Sequence, residues 1–588
     1  MVEESYYELL KNWCDGLLKY QLHLPGQKRF DGALLCPACT VIHGRCHDAV
    51  YPLLYMADVT GEDKYKEAAL RLFDWGENMV CDDGSFYNDA QSEWNGITVF
   101  GVISIYDSLN KHGHLLDDGT KVRFEERMRR GAEWIYRVLT PDYVTNINYH
   151  ATASAAMALA GTYFNIPEYL NRARELARSC VDHITEDGFL YGEGLPREEK
   201  TPRGCRPVDI GYNVEESAPA LLIYAREMND NEVLKWVKKL LMCQLDFMMP
   251  DGAWDNSFGS RNFKWTYWGS RTSDGSQLAY GTWGEEEPVF AEASRRNLEL
   301  YRSCTHDGLL YGGPDYLAHG EEPCIHHTFC HAKALAAVLD SQVFETERVE
   351  LPSEHAEPVK YYPTVDTYKL SFGGFLSTLT GYDFEYMKGG HASGGCVTLL
   401  WHKKAGPILA SSMTSYSLKE VHNMQLSVKK AEHQPLTMRV EMEEDETVYS
   451  QFFDFRSQIQ VEQKEEEICA DVKAELVDID HRSARHPVYC RLIYRWNEGG
   501  FSVEGRTEGD EGRKARLIIP VIGHHKDGYE MDGNKIILKK EGCTVTVQTE
   551  NETGKPEPVF FLAGGFEAWK LNVTPDEQGY FRVVIKAE

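Results

Sequence analysis

From residue 1 to about 345, apolar positions recur three and four residues apart, as in Leu221, Leu222, Tyr224 and Ala225. That spacing marks one face of an α-helix. Twelve segments carry it: 5–20, 44–59, 63–80, 96–110, 123–139, 148–163, 167–184, 212–229, 231–248, 274–282, 285–303 and 326–341. The shortest, 274–282, carries it least. Asp-Gly followed by an aromatic or apolar residue recurs between helices, at Asp83-Gly84, Asp187-Gly188, Asp251-Gly252 and Asp307-Gly308. Glycine accepts the positive φ that such a tight turn requires. Repeated helical hairpins bury their faces on their neighbours. Six of them closing on themselves predict an (α/α)6 toroid, complete or incomplete, and an open helical solenoid is the alternative.

After a polar stretch over 346–360 the pattern changes to period two. Short apolar runs at 396–401, 516–521, 535–538, 544–547 and 581–585 alternate with Gly and Asp clusters. This predicts an antiparallel β-sandwich, as two β-layers or subdomains. The chain thus divides into an α/α toroid over 1–345 that carries catalysis, a linker over 346–360 and a β-sandwich over 361–588. The acidic run from Glu441 to Glu446 reads as a solvated strand face or turn.

Composition narrows the function classes. A 588-residue chain exceeds one core, and 42% hydrophobic residues fit a globular protein. No apolar run reaches the eighteen residues of a membrane span. The net charge of −29 excludes a nucleic-acid surface, yet a few focused arginines can still hold an anionic sugar. Fifteen scattered cysteines read as reduced, mostly buried thiols. The opening Met1-Val-Glu-Glu-Ser-Tyr-Tyr lacks a basic region followed by an apolar one, so a cytoplasmic protein is expected. The oligomeric state is open, with a homodimer among the options.

The candidate chemistry gathers at helix starts. Asn148-Tyr149-His150 opens an alanine-rich helix, where Asn148 and His150 either polarise a carboxylate or form a cap with a satisfied histidine. Asp209 is the expected cap of a helix beginning Gly211-Tyr212-Asn213-Val214-Glu215, in which Tyr212 is the candidate for proton transfer and Glu215 lies on nearly the same face. A tyrosine of reference pKa about 10 needs neighbouring cations, and Arg203, Arg206 and Arg271 are available. The segment from Arg261 to Asp274 mixes Trp265, Trp268 and Arg271. Aromatic faces stack on sugars, and arginine binds carboxylate or sulfate bidentately. His43 and Arg45, Trp94 and Asn95, and His326 add further cleft candidates. Metal signals are weaker. His327 and His331 lie one helical turn apart but lack the glutamate of H-E-x-x-H. Cys36-Pro-Ala-Cys39 is a single C-x-x-C without a matching second pair. No cofactor is required by these patterns, although a structural divalent metal is compatible with them. No P-loop, dinucleotide fingerprint or G-x-S-x-G elbow appears.

The order of toroid then β-sandwich, with these motifs, resembles the heparinase II/III-like polysaccharide lyases. The segment Lys388-Gly-Gly-His391-Ala-Ser-Gly-Gly-Cys-Val-Thr-Leu-Leu-Trp401, followed by Gly406-Pro-Ile-Leu, is similar to that family's first β-sandwich signature. The resemblance implies an anionic, glycosaminoglycan-like oligosaccharide or polysaccharide as substrate. It implies that Asn148 or His150 neutralises the uronate carboxylate, that Tyr212 is base or acid, and that His391 reaches the cleft from the β-domain. Where the family carries a second His and an Asp, this chain has Gly389 and Ser393, which removes the ligands of a metal at that place. Members tend to be exported, whereas a cytoplasmic one would process imported oligosaccharides.

The resulting expectation is β-elimination at a uronic acid. The carboxylate is neutralised by Asn, His and Arg donors, while a base takes the C5 proton and an acid protonates the leaving oxygen. A glycoside hydrolase on the same scaffold is the second reading. It needs a carboxylate pair, for which Asp89, Glu193, Asp209, Glu215 and Asp274 are available. Non-catalytic glycan binding through the aromatic and basic loop is the third.

Overall fold

The computed structural model describes residues 2–89, 94–195, 197–284, 286–343, 347–411, 413–415, 434–509 and 515–588. Its helices fall into two kinds that alternate along the chain. One kind is buried almost all round, such as Ile147–Phe164, whose stretch from Ala151 to Gly161 is buried throughout. Its alanines let neighbouring helices approach closely. The other kind is amphipathic. Pro167–Val181, started by a proline at its first position, buries Tyr169, Ala173, Leu176, Ala177 and Cys180 along one stripe.

Among the described residues these pair as inner and outer members of six hairpins. Val50–Thr60 pairs with Asp63–Gly76, Thr98–His112 with Asp118–Val138, and Ile147–Phe164 with Pro167–Val181. The helical run from Ile210 to Glu227 pairs with Asn231–Gln244, and Gln277–Gly281 with Pro288–Ser303. The sixth pair joins the last inner helix, Ile325–Ser341, to the first helix of the chain, Val2–Lys19. The ring is therefore closed by its two ends, as the toroid expectation requires. The expected helix over 274–282 shortens to Gln277–Gly281. The four Asp-Gly turns all carry the positive φ predicted for them, from 83° to 90° at Gly84, Gly188, Gly252 and Gly308.

Beyond the turn Pro352–His355, the described residues form three antiparallel sheets. The eight-stranded sheet shows the period-two logic directly. Ile468, Ala470 and Val472 face inward from Glu467–Glu475, opposite Trp496, Tyr494 and Leu492 on Tyr489–Asn497. They share one core with Leu517, Ile519 and Leu571 of the six-stranded sheet and with Val397 and Leu400 of the five-stranded sheet. Glu441 to Glu446 lies in the strand Arg439–Glu444 and the turn after it, where Asp445 and Glu446 take positive φ. A separate apolar cluster joins the halves: Phe263, Trp265 and Tyr267 of a toroid loop pack with Leu562, Phe566 and Ala568 of the β-domain. No helix among the described residues is long and apolar enough to cross a membrane.

Candidate active site

Asp209 organises the helix start in two directions. Its Oδ1 accepts the backbone N–H of Tyr212 at 3.0 Å, the N-cap bond that frees the helix from an orphan donor. Its Oδ2 accepts from Asn256 Nδ2 and from the Arg261 backbone N–H, both at 2.9 Å. One carboxylate thus fixes Tyr212 and docks the loop that crosses it. The next five residues, Asn213–Ser217, form a π-helical turn, a widened geometry that recurs at functional sites.

The docked loop brings cations to the tyrosine. Lys264 Nζ donates to the Tyr212 hydroxyl at 3.0 Å and to Thr272 Oγ1 at 3.0 Å, while the two hydroxyls lie 2.9 Å apart. The Arg261 guanidinium sits 4.3 Å above the Tyr212 ring. All of this is buried, with Tyr212 only 3% exposed. Two positive groups in a low-dielectric site stabilise the negative charge the phenolic oxygen acquires when it gives up its proton. Burial opposes the charge of Arg261, but Tyr212 and Glu193 beside it hold its guanidinium firmly charged.

A second set of contacts completes a ring of polar groups. Arg261 Nε lies 3.5 Å from Glu193 Oε2. Glu193 Oε1 accepts the Asn148 backbone N–H at 3.0 Å, and Asn148 Nδ2 donates to Glu216 Oε2 at 2.6 Å. Glu216 lies 3.9 Å from Arg45, whose Nη1 donates to the Thr272 carbonyl at 3.3 Å. Arg45 also pairs with Asp48 and Asp274 and stacks over Phe100 at 3.8 Å. Burial pushes the Glu193 carboxyl up to about 7, against the pull of Arg261. Burial and then Asp274 push Glu216 up as well, against Arg45 and Asn148. Carboxyls held near neutrality repel an anionic sugar less than ionised ones and can donate a hydrogen bond to it. Tyr149 adds an aromatic wall, its hydroxyl accepting from Trp94 Nε1 at 2.8 Å.

Of the residues expected from sequence, Tyr212, Asn148 and Arg45 enter this ring, and half-buried Trp94 borders it through Tyr149. Others do not. His150 turns away from Asn148, its Nε2 on the Tyr143 carbonyl at 3.0 Å and its Nδ1 3.2 Å from Arg197. Burial, then Arg197, lower it to about 4, so it carries no charge with which to neutralise a carboxylate at neutral pH. His391 packs within the β-domain, with Nε2 on the Tyr382 carbonyl at 3.0 Å and its ring stacked on Phe455. Glu215 faces the opposite side of the π turn from Glu216. It accepts from Ser270 N–H at 2.9 Å, from Ser273 Oγ and from Tyr301 at 3.3 Å, a structural set that leaves it no catalytic carboxylate partner.

The expected sugar platforms are core instead. Trp265 and Trp268 are both fully buried, donating to the carbonyls of Trp254 and Tyr311. Arg271 is fully buried and donates to the Leu562 carbonyl of the β-domain. Arg206 lies over Tyr191 and Arg203 pairs with Asp366, so neither is the cation at Tyr212. Asn95 bonds Ser85, and His326 stands 5.5 Å from His43 and within electrostatic reach of both Arg45 and Lys264, so it borders the ring; burial first, then Arg45, push its ionisation well below the ordinary histidine range. His331 gives Nδ1 to the His327 carbonyl at 2.7 Å, and both rings flank Trp268. Neither histidine belongs to a cluster of three or more metal-binding side chains among the described residues.

Sequence reasoning missed Lys264, Arg261 and Glu216 as site residues. Their signal was present: Arg261 and Lys264 sit three apart, across the short 3-10 turn Asn262–Lys264, and so present both cations together. It was masked by the more conspicuous tryptophans.

Comparison with known proteins gives a consistent result. Residues 10–356 match the ulvan lyase N-terminal domain and residues 359–588 the ulvan lyase C-terminal domain. A broad-specificity ulvan lyase of Formosa agariphila is 37% identical over 556 residues, covering 92% of this chain and 86% of that protein. Among solved structures, heparinase III aligns with a TM-score of 0.55 at 10% identity, covering 92% of this chain and 76% of that one. The Streptomyces coelicolor A3 chondroitin AC lyase, in complex with chondroitin sulphate, aligns with a TM-score of 0.52 at 12% identity, covering 100% of this chain and 80% of that one. At such identities these two structures speak for the toroid plus β-sandwich fold alone.

Proposed function

The chain belongs to the ulvan lyase family, and from that premise we propose that Tyr212 transfers the proton in β-elimination at a uronic acid of ulvan or oligosaccharides derived from it. The enzyme is a polysaccharide lyase acting on a uronic-acid-containing glycan. The family name moves the expected polymer from a glycosaminoglycan to ulvan.

The observation that carries the assignment of Tyr212 is its hydroxyl, 3.0 Å from Lys264 Nζ beneath the Arg261 guanidinium. With that support the phenolate is the base for the C5 proton. The resulting phenol is then the acid that returns a proton to the leaving glycosidic oxygen. One residue serving both steps suits a site in which burial and the nearby Arg45 disfavour the charged form of His326. Asn148, with one amide hydrogen on Glu216, has its second to offer to the uronate carboxylate, and protonated Glu216 is a further donor there. Together with Arg45 and Arg261 they offset the charge that builds on the carboxylate as the C5 proton leaves. None of these steps calls on a bound cofactor. A cytoplasmic location remains the expectation for a protein whose described cysteines form no disulfide; subcellular fractionation checks it.

Turnover of ulvan followed by the ultraviolet absorbance of the new double bond tests the reading. Tyr212→Phe should lower the rate by ~10²-fold or more, the scale of losing a general acid–base group. Glu215→Gln should retain elimination chemistry in the fraction that folds. Cleavage by the wild type without new absorbance, or a Tyr212→Phe enzyme of near-normal rate, would overturn it.

A further inference from the structure

Behind the candidate active site, four side chains converge that the lyase chemistry does not use. Cys36 and Cys39 lie in the loop after the first helix, His43 immediately precedes the turn Gly44–Ala49, and Cys324 caps the last toroid helix, Ile325–Ser341. Their ligand atoms all lie within 4.8 Å of one another. Cys324 Sγ stands 3.7 Å from Cys36 Sγ, 3.7 Å from Cys39 Sγ and 3.5 Å from His43 Nε2.

These separations discriminate between explanations. A disulfide would bring two sulfurs to about 2.05 Å, far inside what is found. A tetrahedral zinc ion with Zn–S bonds of about 2.3 Å and a Zn–N bond of about 2.05 Å sets S···S at about 3.8 Å and S···N at about 3.5 Å. The observed spacings match that geometry around a common centre. The loop has the matching shape. Cys39 N–H points at Cys36 Sγ at 3.4 Å, and Thr40 N–H bonds the Cys36 carbonyl at 2.9 Å. Thr40 takes a φ of 55°, which folds Cys39 back beside Cys36. The C-x-x-C that lacks a second pair in sequence finds its missing ligands in His43, four residues on, and in Cys324, 288 residues from Cys36.

We propose that Cys36, Cys39, His43 and Cys324 bind one zinc ion in a closed structural site that staples the first and last hairpins of the toroid together. Four protein ligands leave no open position, so the ion is structural and takes no substrate. Its placement next to His326, and one residue before the turn that carries Arg45, makes it a support for one wall of the cleft.

The test is elemental analysis of the full-length protein, purified reduced and without chelator from zinc-supplemented cells, with X-ray absorption at the zinc edge. The expected result is about one zinc per chain, with about three sulfur ligands and one nitrogen. Substitution of cobalt should give the intense thiolate-to-metal absorption of a tetrahedral three-sulfur site. Cys324→Ala should lose the metal, whereas Cys81→Ser, outside the cluster, should keep it. Folded, reduced wild-type protein that takes up neither zinc nor cobalt overturns the proposal. So does an absorption spectrum with only nitrogen and oxygen ligands, or a Cys324→Ala variant that retains a full equivalent. Because the wild-type spectrum identifies the ligands directly, a Cys324→Ala variant that fails to fold leaves the proposal decidable.

Discussion

Lys264 is where the chemistry of a single residue is most exposed to test. Its ammonium touches both the Tyr212 and Thr272 hydroxyls, each at 3.0 Å. Lys264→Met should lower kcat by roughly 10²-fold, the scale of removing one preorganised electrostatic donor, with a smaller change in KM. Steady-state kinetics on ulvan checks the split, and an equal loss carried by KM would make Lys264 a binding residue instead. Glu193 offers a pH test. Its folded value of about 7 exceeds the ordinary 4.5, so the native state holds this proton more tightly than the unfolded chain. The stability it contributes is fully present below about 4.5 and is lost as pH rises through about 7, amounting to ~3 kcal/mol. Glu193→Gln should therefore gain in thermal midpoint over the wild type progressively across that window. Parallel curves would show that the carboxyl ionises without cost.

At the scale of elements, the π turn Asn213–Ser217 and the loop from Trp254 to Ser273 act as one unit. Glu215 ties them by accepting Ser270 N–H and Ser273 Oγ. Gly269 makes that possible, since a Cβ there would come within 1.9 Å of Glu215 Oε1. Gly269→Ala should destabilise by ~1–3 kcal/mol through overpacking, because Glu215 is held by three donors and cannot withdraw. Differential scanning fluorimetry reads this, and an unchanged midpoint would mean the turn relaxes freely. The helices themselves were legible from spacing, and so were the Asp-Gly turns and the Asp209 cap. The direction of each side chain was not. Asn148 and His150 are two apart, hence ~200° around the helix, and only one can face the ring. Glu215 and Glu216 are neighbours that end on opposite errands for the same reason.

Across the whole molecule, the β-domain holds in place the loop that carries Arg261 and Lys264. Tyr267 N–H and the Trp265 carbonyl bond Gly564, and Arg271 reaches the Leu562 carbonyl. Lys369 of the β-domain pairs with fully buried Asp255 of the toroid at 2.8 Å. Lys369→Met leaves that carboxylate without its cation and should cost ~3–5 kcal/mol. A thermal midpoint unchanged at fixed scan rate would show the pair to be dispensable. The sandwich was readable from its alternation, but its task was not. The basic and aromatic loop reads as a sugar platform in sequence, whereas contact with the β-domain turns its tryptophans and Arg271 into core and leaves Arg261 and Lys264 for Tyr212.

The sequence by itself determined the order of helices and strands, the closing turns and the capped helix start that carries Tyr212. Each of these follows from local rules: periodicity sets burial, glycine permits the turn, and a side-chain oxygen caps the helix. Only the tertiary structure decided Tyr212's company. Lys264 lies 52 residues away in the chain, Cys324 lies 288 from Cys36, and which face of a helix looks inward is set by what packs against it. Such approaches depend on long-range packing, which no local pattern encodes.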